Sequence, residues 1–172
     1  MVQSNIQKSE KIQKMSYWGV SPKIVLTFTP FAVFFGALYL IFYPTFLLPI
    51  RSIYMIILGI LLIIIGFIIY LKSIKLINDA YPKSKLVTNG VYGHMRHPLY
   101  SAFAMFIIPG IVCLFNSWIL FFIPISYYIF CRIYIKEEER YCLRKFGEKY
   151  VHYKKHVFAI IPKLKKYKPP KN

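Results

Sequence analysis

Four long apolar segments are the feature that most constrains how this chain can fold. They cover residues 24–42, 52–71, 99–115 and 118–135, and each has about the 17 to 25 residues that a helix needs to cross a bilayer. Because lipid offers the backbone no hydrogen-bond partner, segments of this length must be helices. The 57% hydrophobic content of the 172 residues also exceeds what an ordinary soluble domain contains.

Two short connections set the expected arrangement of these helices. Residues 43–51 join the first two segments and residues 116–117 join the last two, so each pair is expected to form an antiparallel hairpin. We therefore predict an all-α integral membrane bundle of about four transmembrane helices, built as two hairpins with a cytoplasmic C-terminal helical cap. Pro30, Pro109 and Pro124 fall inside three of the segments and are expected to kink them.

Charge is distributed unevenly around the apolar segments. All six acids and 22 of the 23 Lys and Arg residues lie on one side of the predicted membrane, and Arg51 lies on the other. Because positive charge marks the cytoplasmic side, we predict that both termini are cytoplasmic. The membrane would be the plasma membrane of a prokaryote or the endoplasmic reticulum of a eukaryote. This explains the net charge of +17 through contact with membrane lipids, without a nucleic-acid partner.

No internal repeat or low-complexity linker divides the chain. We expect a cytoplasmic segment at 1–23, a transmembrane hairpin at 24–87, a functional region at 88–164 and a basic tail at 165–172. The first of these has no short apolar core with a cleavage site, so no removable signal peptide is expected. The three cysteines form no C-x-x-C pattern, and neither a metal site nor a disulfide framework is predicted.

The stretch G90-V-Y-G-H-M-R-H-P-L-Y100 concentrates polar side chains directly before the third apolar segment. Pro98 suits the first turn of a helix, where its missing N–H costs nothing, so Arg96 and His97 are placed at the N-terminal rim. A helix N-terminus attracts anions, and a cation and an imidazole stand beside this one. The stretch predicts an anion-receptive corner, although Arg96 reaching for lipid phosphate and His97 capping the helix would explain the same residues.

A second polar stretch, C131-R-I-Y-I-K-E-E-E-R-Y-C-L-R-K-F-G147, continues the fourth segment into the cytoplasm. If the helix continues, residues at spacings of three and four share one face. That face carries Arg132, Lys136, Glu139, Leu143, Phe146 and Tyr150. Gly147 is expected to end the helix, because glycine is common directly after a helix C-terminus.

Three of the six acids lie together at positions 137–139. Ion pairs with basic neighbours on the same helix explain Glu137, but not why a cationic chain places carboxylates beside an anion-receptive corner. These neighbours are Lys136, Arg140 and Arg144. Because the last two segments form a hairpin, R96-H-P-L-Y100 is expected to face Glu138 and Glu139. A ligand with an anionic and a cationic end would fit between them.

Together these residues resemble the isoprenylcysteine carboxyl methyltransferase family and the related phospholipid methyltransferases. The matching motifs are G90-V-Y-x-x-x-R-H-P-x-Y100, an apolar hairpin, R132, E138-E139, F146-G-E-x-Y150, Y153-K-K-x-V157 and Pro162, in the same order and with nearly gap-free spacing. They cover about residues 88–164. The resemblance implies S-adenosylmethionine, held where the two motifs meet, and methyl transfer to an amphiphilic or lipidated acceptor that arrives from the membrane.

The resemblance also implies a set of site residues. Those expected to bind the cofactor are Val91, Tyr92, His97, Pro98, Tyr100, Glu138, Glu139 and Tyr150. The carboxylate of the cofactor suits Arg and His, and its ammonium and sulfonium suit Glu and aromatic faces. An acceptor carboxylate needs only a cation to orient it, for which Arg132 or Arg96 is the catalytic candidate. An amine acceptor needs a base, for which Glu139 or His97 is available.

Several acceptors and two other functions stay open. O-methylation of a prenylcysteine-type carboxylate is favoured over N-methylation of an aminolipid or S-methylation of a thiol. A membrane sterol reductase has a similar C-terminal helical region but would use NADPH, and a basic membrane anchor would need no cofactor. One departure bears on the shape of the pocket: this chain has Ala102 where the family usually has glycine, whose absence of a side chain often permits close approach.

Overall fold

A computed structural model describes residues 17–169, which are mostly helical and contain no β-strand in that range. The helices within it are α1 (Ser21–Ile41), α2 (Ser52–Ala80), α3 (Pro98–Leu114), α4 (Phe122–Phe146) and α5 (Glu148–His156). Short 3₁₀ turns at Gly90–Gly93 and Ile119–Phe121 precede α3 and α4. Residues 1–16 of the predicted N-terminal segment and 170–172 of the predicted tail lie outside the described residues.

Three helical stretches are long and apolar enough to span a membrane: α1, α2, and α4 with its preceding turn. Large apolar side chains on their outer faces are exposed, among them Leu26, Ile64 and Ile129, as expected where lipid is the solvent. The third predicted segment forms α3, a shorter apolar helix of 17 residues, at the lower limit of the roughly 17 to 25 residues that cross a bilayer. The prediction of an all-helical membrane bundle is confirmed.

Prolines have different effects in the three segments that contain them. In α3, residues Ala102–Ile107 form a π-helix that ends two residues before Pro109. A proline ring clashes with the carbonyl group four residues earlier, here that of Met105, and a π-helical turn is a common site of such a break in the regular ladder. Pro30 lies inside α1. Pro124 lies in the first turn of α4, where a proline needs no kink.

The most extensive helix contacts join α2 to α3 and α1 to α4, so helices linked by a short connection are not the main packing partners. Glycines explain the first pair. A Cβ atom on Gly59 would lie 2.6 Å from the carbonyl oxygen of Gly110, and only small residues allow two helix backbones to approach this closely. The second pair packs through aromatic rings, as in Phe28 and Tyr127 with centroids 5.1 Å apart in an edge-to-face arrangement.

The chain returns to the start of α3 after its last helix. Gly147 ends α4, as predicted, and α5 follows directly. Beyond α5, the backbone N–H groups of Arg96 and His97 donate to the carbonyls of Phe158 and Ala159 at 2.8 and 2.9 Å. These bonds fix the polar stretch before α3 against the C-terminal segment, and so set the positions of its side chains.

Candidate functional site

The polar residues that the sequence predicts to meet lie together at the start of α3. His97 is the N-cap of α3 and the buried Pro98 is its first residue. Opposite them, in the part of α4 beyond its apolar segment, stand Glu138 and Glu139. His97 Nδ1 lies 3.2 Å from Glu138 Oε2, and Arg96 Nε donates to Glu139 Oε1 at 3.0 Å. The expectation that this stretch faces both carboxylates is confirmed.

Arg96 and Glu139 form a buried ion pair that a third residue completes. The guanidinium donates to Glu139 through Nε and Nη2, and through Nη1 to the carbonyls of Lys154, at 3.0 Å, and Val157. Lys154 Nζ lies 2.7 Å from Glu139 Oε2, so both carboxylate oxygens face cations. The side chains of Arg96 and Glu139 are only 9% and 10% exposed. Removing one partner of such a pair costs about 3–5 kcal/mol, because the other charge stays buried and uncompensated.

Glu138 accepts hydrogen bonds from separate parts of the chain. Its Oε1 atom accepts from the hydroxyl of Tyr100 at 2.5 Å and from the backbone N–H of Val20 at 2.9 Å, while Oε2 faces His97. Burial lowers the pKa of His97, but the carboxylates of Glu138 and Glu139 beside it outweigh burial and raise that pKa above its ordinary value. The imidazole of His97 therefore lies beside two carboxylates that favour its protonated form.

Two buried polar atoms at the site have no hydrogen-bond partner in the described part of the chain. One is His97 Nε2, which lies 3.6 Å from Glu139 Oε1, beyond hydrogen-bond distance. The other is the hydroxyl of Tyr150, a residue only 2% exposed. A buried polar atom without a partner costs about 1–3 kcal/mol, so each of these atoms has a free bonding position that a water molecule or a ligand can fill.

The other residues predicted to bind a cofactor lie around the same corner. Val91 and Tyr92 belong to the 3₁₀ turn before α3, and the carbonyl of Tyr92 accepts a hydrogen bond from the Tyr153 hydroxyl at 2.6 Å. Pro98 is fully buried. Ala102, which stands where the resembled family has glycine, is also fully buried, so its methyl group lies within the packed helices.

Arg132, a predicted catalytic residue, does not join this cluster. Its side chain is exposed and makes no hydrogen bond or ion pair with any residue in the range 17–169. The seven-residue spacing from Glu139 puts the two on one face of α4, but two helical turns amount to about 10 Å along the axis. Arg96, the other predicted candidate, already donates to Glu139 and to backbone carbonyls.

The interpretation of Glu137 is wrong. This carboxylate pairs with Lys23 of α1, with Nζ and Oε2 2.6 Å apart. It makes no ion pair with Lys136, Arg140 or Arg144 among the described residues. The reason is the packing of α1 against α4, which brings a lysine from the start of the chain to the carboxylate.

Three contributors to the site were not predicted from the sequence. Val20 donates through its backbone and Lys23 reaches Glu137 from another helix, and neither contact leaves a pattern in the sequence. Lys154, which faces Glu139, belongs to the motif Y153-K-K-x-V157. A closer reading of the cations in that motif could have found it.

Sequence comparison relates the middle of the chain to one family. The sequence model of the isoprenylcysteine carboxyl methyltransferase (ICMT) family matches residues 52–144. The protein-S-isoprenylcysteine O-methyltransferase of Dictyostelium discoideum is 36% identical over 77 residues, 45% of this chain and 32% of the relative. The protein of the same name from Xenopus laevis is 35% identical over 88 residues, 51% of this chain and 31% of the relative.

A third relative, protein-S-isoprenylcysteine O-methyltransferase B of Arabidopsis thaliana, is 37% identical over 78 residues, 45% of this chain and 40% of the relative. The matches thus span about a third of the length of these relatives. No solved structure matches the chain. The turn before α1, which donates to Glu138, lies outside the region matched by the family.

Proposed function

The chain belongs to the isoprenylcysteine carboxyl methyltransferase family, and we propose that it transfers a methyl group from S-adenosylmethionine to an amphiphilic acceptor at the membrane surface. The observation that carries the proposal is the buried cluster of Arg96, His97, Glu138 and Glu139. It places cationic and anionic groups within one small site, which suits a methyl donor that bears a carboxylate, an ammonium and a sulfonium. We assign the binding region to residues 88–164.

The residues at the cluster fit this methyl donor. His97 Nε2 and the Tyr150 hydroxyl are buried without a hydrogen-bond partner among the described residues, and each can bond a nitrogen or oxygen atom of a ligand. Glu138 provides a carboxylate for the ammonium, and the buried rings of Tyr92 and Tyr100 provide aromatic faces for a cation. When bound, the donor supplies an electrophilic methyl group on its sulfonium. The side chains of the site then bind the donor, orient the acceptor against it and exclude water, because methyl transfer depends mainly on how the two reactants are positioned.

A carboxylate is the acceptor that these residues suit best. It is already ionised at neutral pH, so it needs no general base. Glu139, the candidate base for an amine acceptor, faces Arg96 and Lys154, and a carboxylate paired with two cations is a poor proton acceptor. Because the relatives are named as O-methyltransferases of S-isoprenylcysteine, we propose that the acceptor is a carboxylate of this prenylcysteine type.

We also propose that both termini and the site face the cytoplasm, as the distribution of Lys and Arg predicts. A water-soluble donor would then enter from the cytoplasm, while the tail of the acceptor stays in the lipid. Cysteine-accessibility labelling tests this orientation. Positions near Lys85 and Lys149 should be labelled from one side, and positions near Pro49 and Asn116 from the other. An odd number of spans would contradict the proposal.

Binding of the donor is tested by calorimetry on the detergent-solubilised protein. S-adenosylhomocysteine, the product of the donor, should bind, and His97→Ala should weaken its affinity about tenfold or more, since one bond to a charged group is lost. His156→Ala is the control, because His156 is an exposed residue of α5. Unchanged affinity in His97→Ala would contradict the assigned site. Retention of NADPH instead would indicate a reductase, and binding of neither would indicate a membrane anchor.

The acceptor is tested with labelled S-adenosylmethionine. A prenylcysteine analogue, an aminophospholipid and a short-chain thiol are offered to the protein in separate reactions. We expect transfer to the prenylcysteine analogue, recovered as a methyl ester that base releases. Comparison of the wild type with Arg132→Ala tests whether that exposed arginine takes part. Methylation confined to the water-soluble thiol would rule out a lipid-like acceptor.

A further inference from the structure

A pocket of about 420 Å³ opens beside Glu139 on the surface of α4. Its walls come from one stripe of α4 and from α5. The lining residues are Ile133, Lys136, Glu137, Glu139, Arg140, Leu143 and Lys154. Glu139 thus belongs both to the buried cluster and to the wall of this pocket, so a group bound in the pocket lies next to the cluster.

The charges of the pocket favour an anion. Its two carboxylates already have cationic partners: Glu137 pairs with Lys23, and Glu139 pairs with Arg96 from outside the lining and with Lys154 of the lining. Lys136 and Arg140, in contrast, make no side-chain hydrogen bond or ion pair with any described residue. They are four positions apart on α4 and so lie on one face, about one turn from each other. Both side chains are exposed, so their donors are open to a ligand.

Apolar side chains flank these two cations along the same stripe of the helix. Ile133 and Leu143 are about half exposed, at 51% and 45%, and lie on either side of Lys136 and Arg140 in the pocket wall. Ile133 belongs to the apolar part of α4, so the pocket extends from the apolar part of the helix to its charged part. An acceptor with an anionic headgroup on an apolar chain would place the chain against Ile133 and the headgroup against Lys136 and Arg140.

We propose that Lys136 and Arg140 form an anion-binding subsite that holds the carboxylate of the methyl acceptor beside the cluster. This inference rests on the proposed function. The two residues take the place of the earlier candidates, because Arg96 is occupied by Glu139 and Arg132 lies about 10 Å from Glu139 along the helix. A planar guanidinium can bond both oxygens of a carboxylate, and an ammonium adds a point charge. Arg140 therefore orients the carboxylate and Lys136 attracts it.

The test compares the free acid of a prenylcysteine analogue with its methyl ester, which has the same tail but no charge. Both are titrated into the wild-type protein and into Lys136→Gln/Arg140→Gln in the same detergent. The wild type should bind the acid at least about tenfold more tightly than the ester, since a charge-assisted contact is worth at least that factor. The double variant should bind both equally, with its S-adenosylhomocysteine affinity unchanged.

The matched control is Lys149→Gln/Lys155→Gln, which removes the same charge from exposed residues outside the pocket. It should keep the preference for the acid, so that a general effect of net charge is separated from the subsite. If the pocket variant keeps that preference while methyl transfer proceeds, the subsite is overturned and the proposed function stands. The titration is repeated in vesicles that contain anionic lipid. If the pocket variant then loses affinity for the acid and the ester equally, and shows no such loss in detergent, the pocket holds lipid phosphate and the subsite is likewise overturned. If no carboxylate is methylated by the wild type, the proposed function itself fails.

Discussion

The backbone N–H of Val20 donates to Glu138 Oε1 at 2.9 Å, across 118 residues of sequence. This bond ties the turn that precedes α1 to the carboxylate of the candidate site. The same carboxylate oxygen accepts the Tyr100 hydroxyl, and Ser21 Oγ lies 3.4 Å from that hydroxyl. The start of α1 is therefore part of the site, although it lies outside the region that the family comparison matches.

Gly19→Ala should disrupt this relationship. Gly19 has φ +54°, which strains any residue with a side chain, and a Cβ atom there would lie 2.0 Å from Glu138 Oε1, so either the turn or the Glu138 carboxylate must shift. We expect the bond from Val20 to be lost and Glu138 to be displaced, so that the affinity for S-adenosylhomocysteine falls by about tenfold if Glu138 then loses its bond to the ligand. Calorimetry in detergent measures the effect.

Gly36→Ala is the control for this substitution, because a Cβ atom on Gly36 has no neighbour within 4 Å. It should leave the affinity unchanged. If Gly19→Ala binds the ligand like the wild type, Val20 does not position Glu138 for binding.

Two buried tyrosines on α5 should respond in opposite ways to loss of the hydroxyl. Tyr153→Phe leaves the carbonyl of Tyr92 without its 2.6 Å donor, so we expect a loss of about 1–2 kcal/mol of stability. Tyr150→Phe removes a buried hydroxyl that has no partner among the described residues, so the ligand-free protein should be as stable or more stable. If that hydroxyl bonds the cofactor, Tyr150→Phe should also weaken S-adenosylhomocysteine binding. Thermal unfolding and calorimetry, run on both variants, separate these effects.

The contribution of His97 to stability should depend on pH. Because the pKa of His97 is raised in the folded protein, its protonated form stabilises the fold. That contribution is fully present below the unfolded pKa of about 6.5 and is lost as the pH rises through the raised folded pKa. The melting temperature of His97→Gln should therefore lie furthest below that of the wild type in acid and approach it in base. A difference that stays constant between acid and alkaline conditions would show that the carboxylates do not hold a charged imidazole.

The contact between α2 and α3 should tolerate no added methyl group. Gly59→Ala would place a Cβ atom 2.6 Å from the carbonyl of Gly110 and 2.9 Å from Leu114 Cδ2. Overpacking of this kind costs about 1–3 kcal/mol, so the melting temperature should fall. Gly36→Ala is again the control and should leave the melting temperature unchanged or raise it, since alanine is the better helix former by about 1 kcal/mol. Equal melting temperatures for the two variants would contradict the close approach of α2 and α3.

Much of the fold could be predicted because membrane insertion acts on each segment separately. The length of an apolar run and the charges at its ends are properties of neighbouring residues, and they predicted the helices that became α1 to α4. Local backbone chemistry predicted Pro98 at the first position of α3 and Gly147 after α4. The short connection between the last two segments also predicted that R96-H-P-L-Y100 would meet Glu138 and Glu139.

Only the tertiary structure decided which further groups contact the acids at positions 137–139. Helical spacing gives the angle of a residue around the helix axis, but not the neighbour that covers that face. The sequence therefore could not predict that Arg132 is exposed or that Glu137 pairs with Lys23. A backbone N–H is the same in every residue except proline, so no pattern could single out Val20 as the donor to Glu138. By itself the sequence determined the helices, their apolar lengths and the local set of charged groups. Which helices touch depended on contacts such as that of Gly59 with Gly110, which exist only once the backbones pack together.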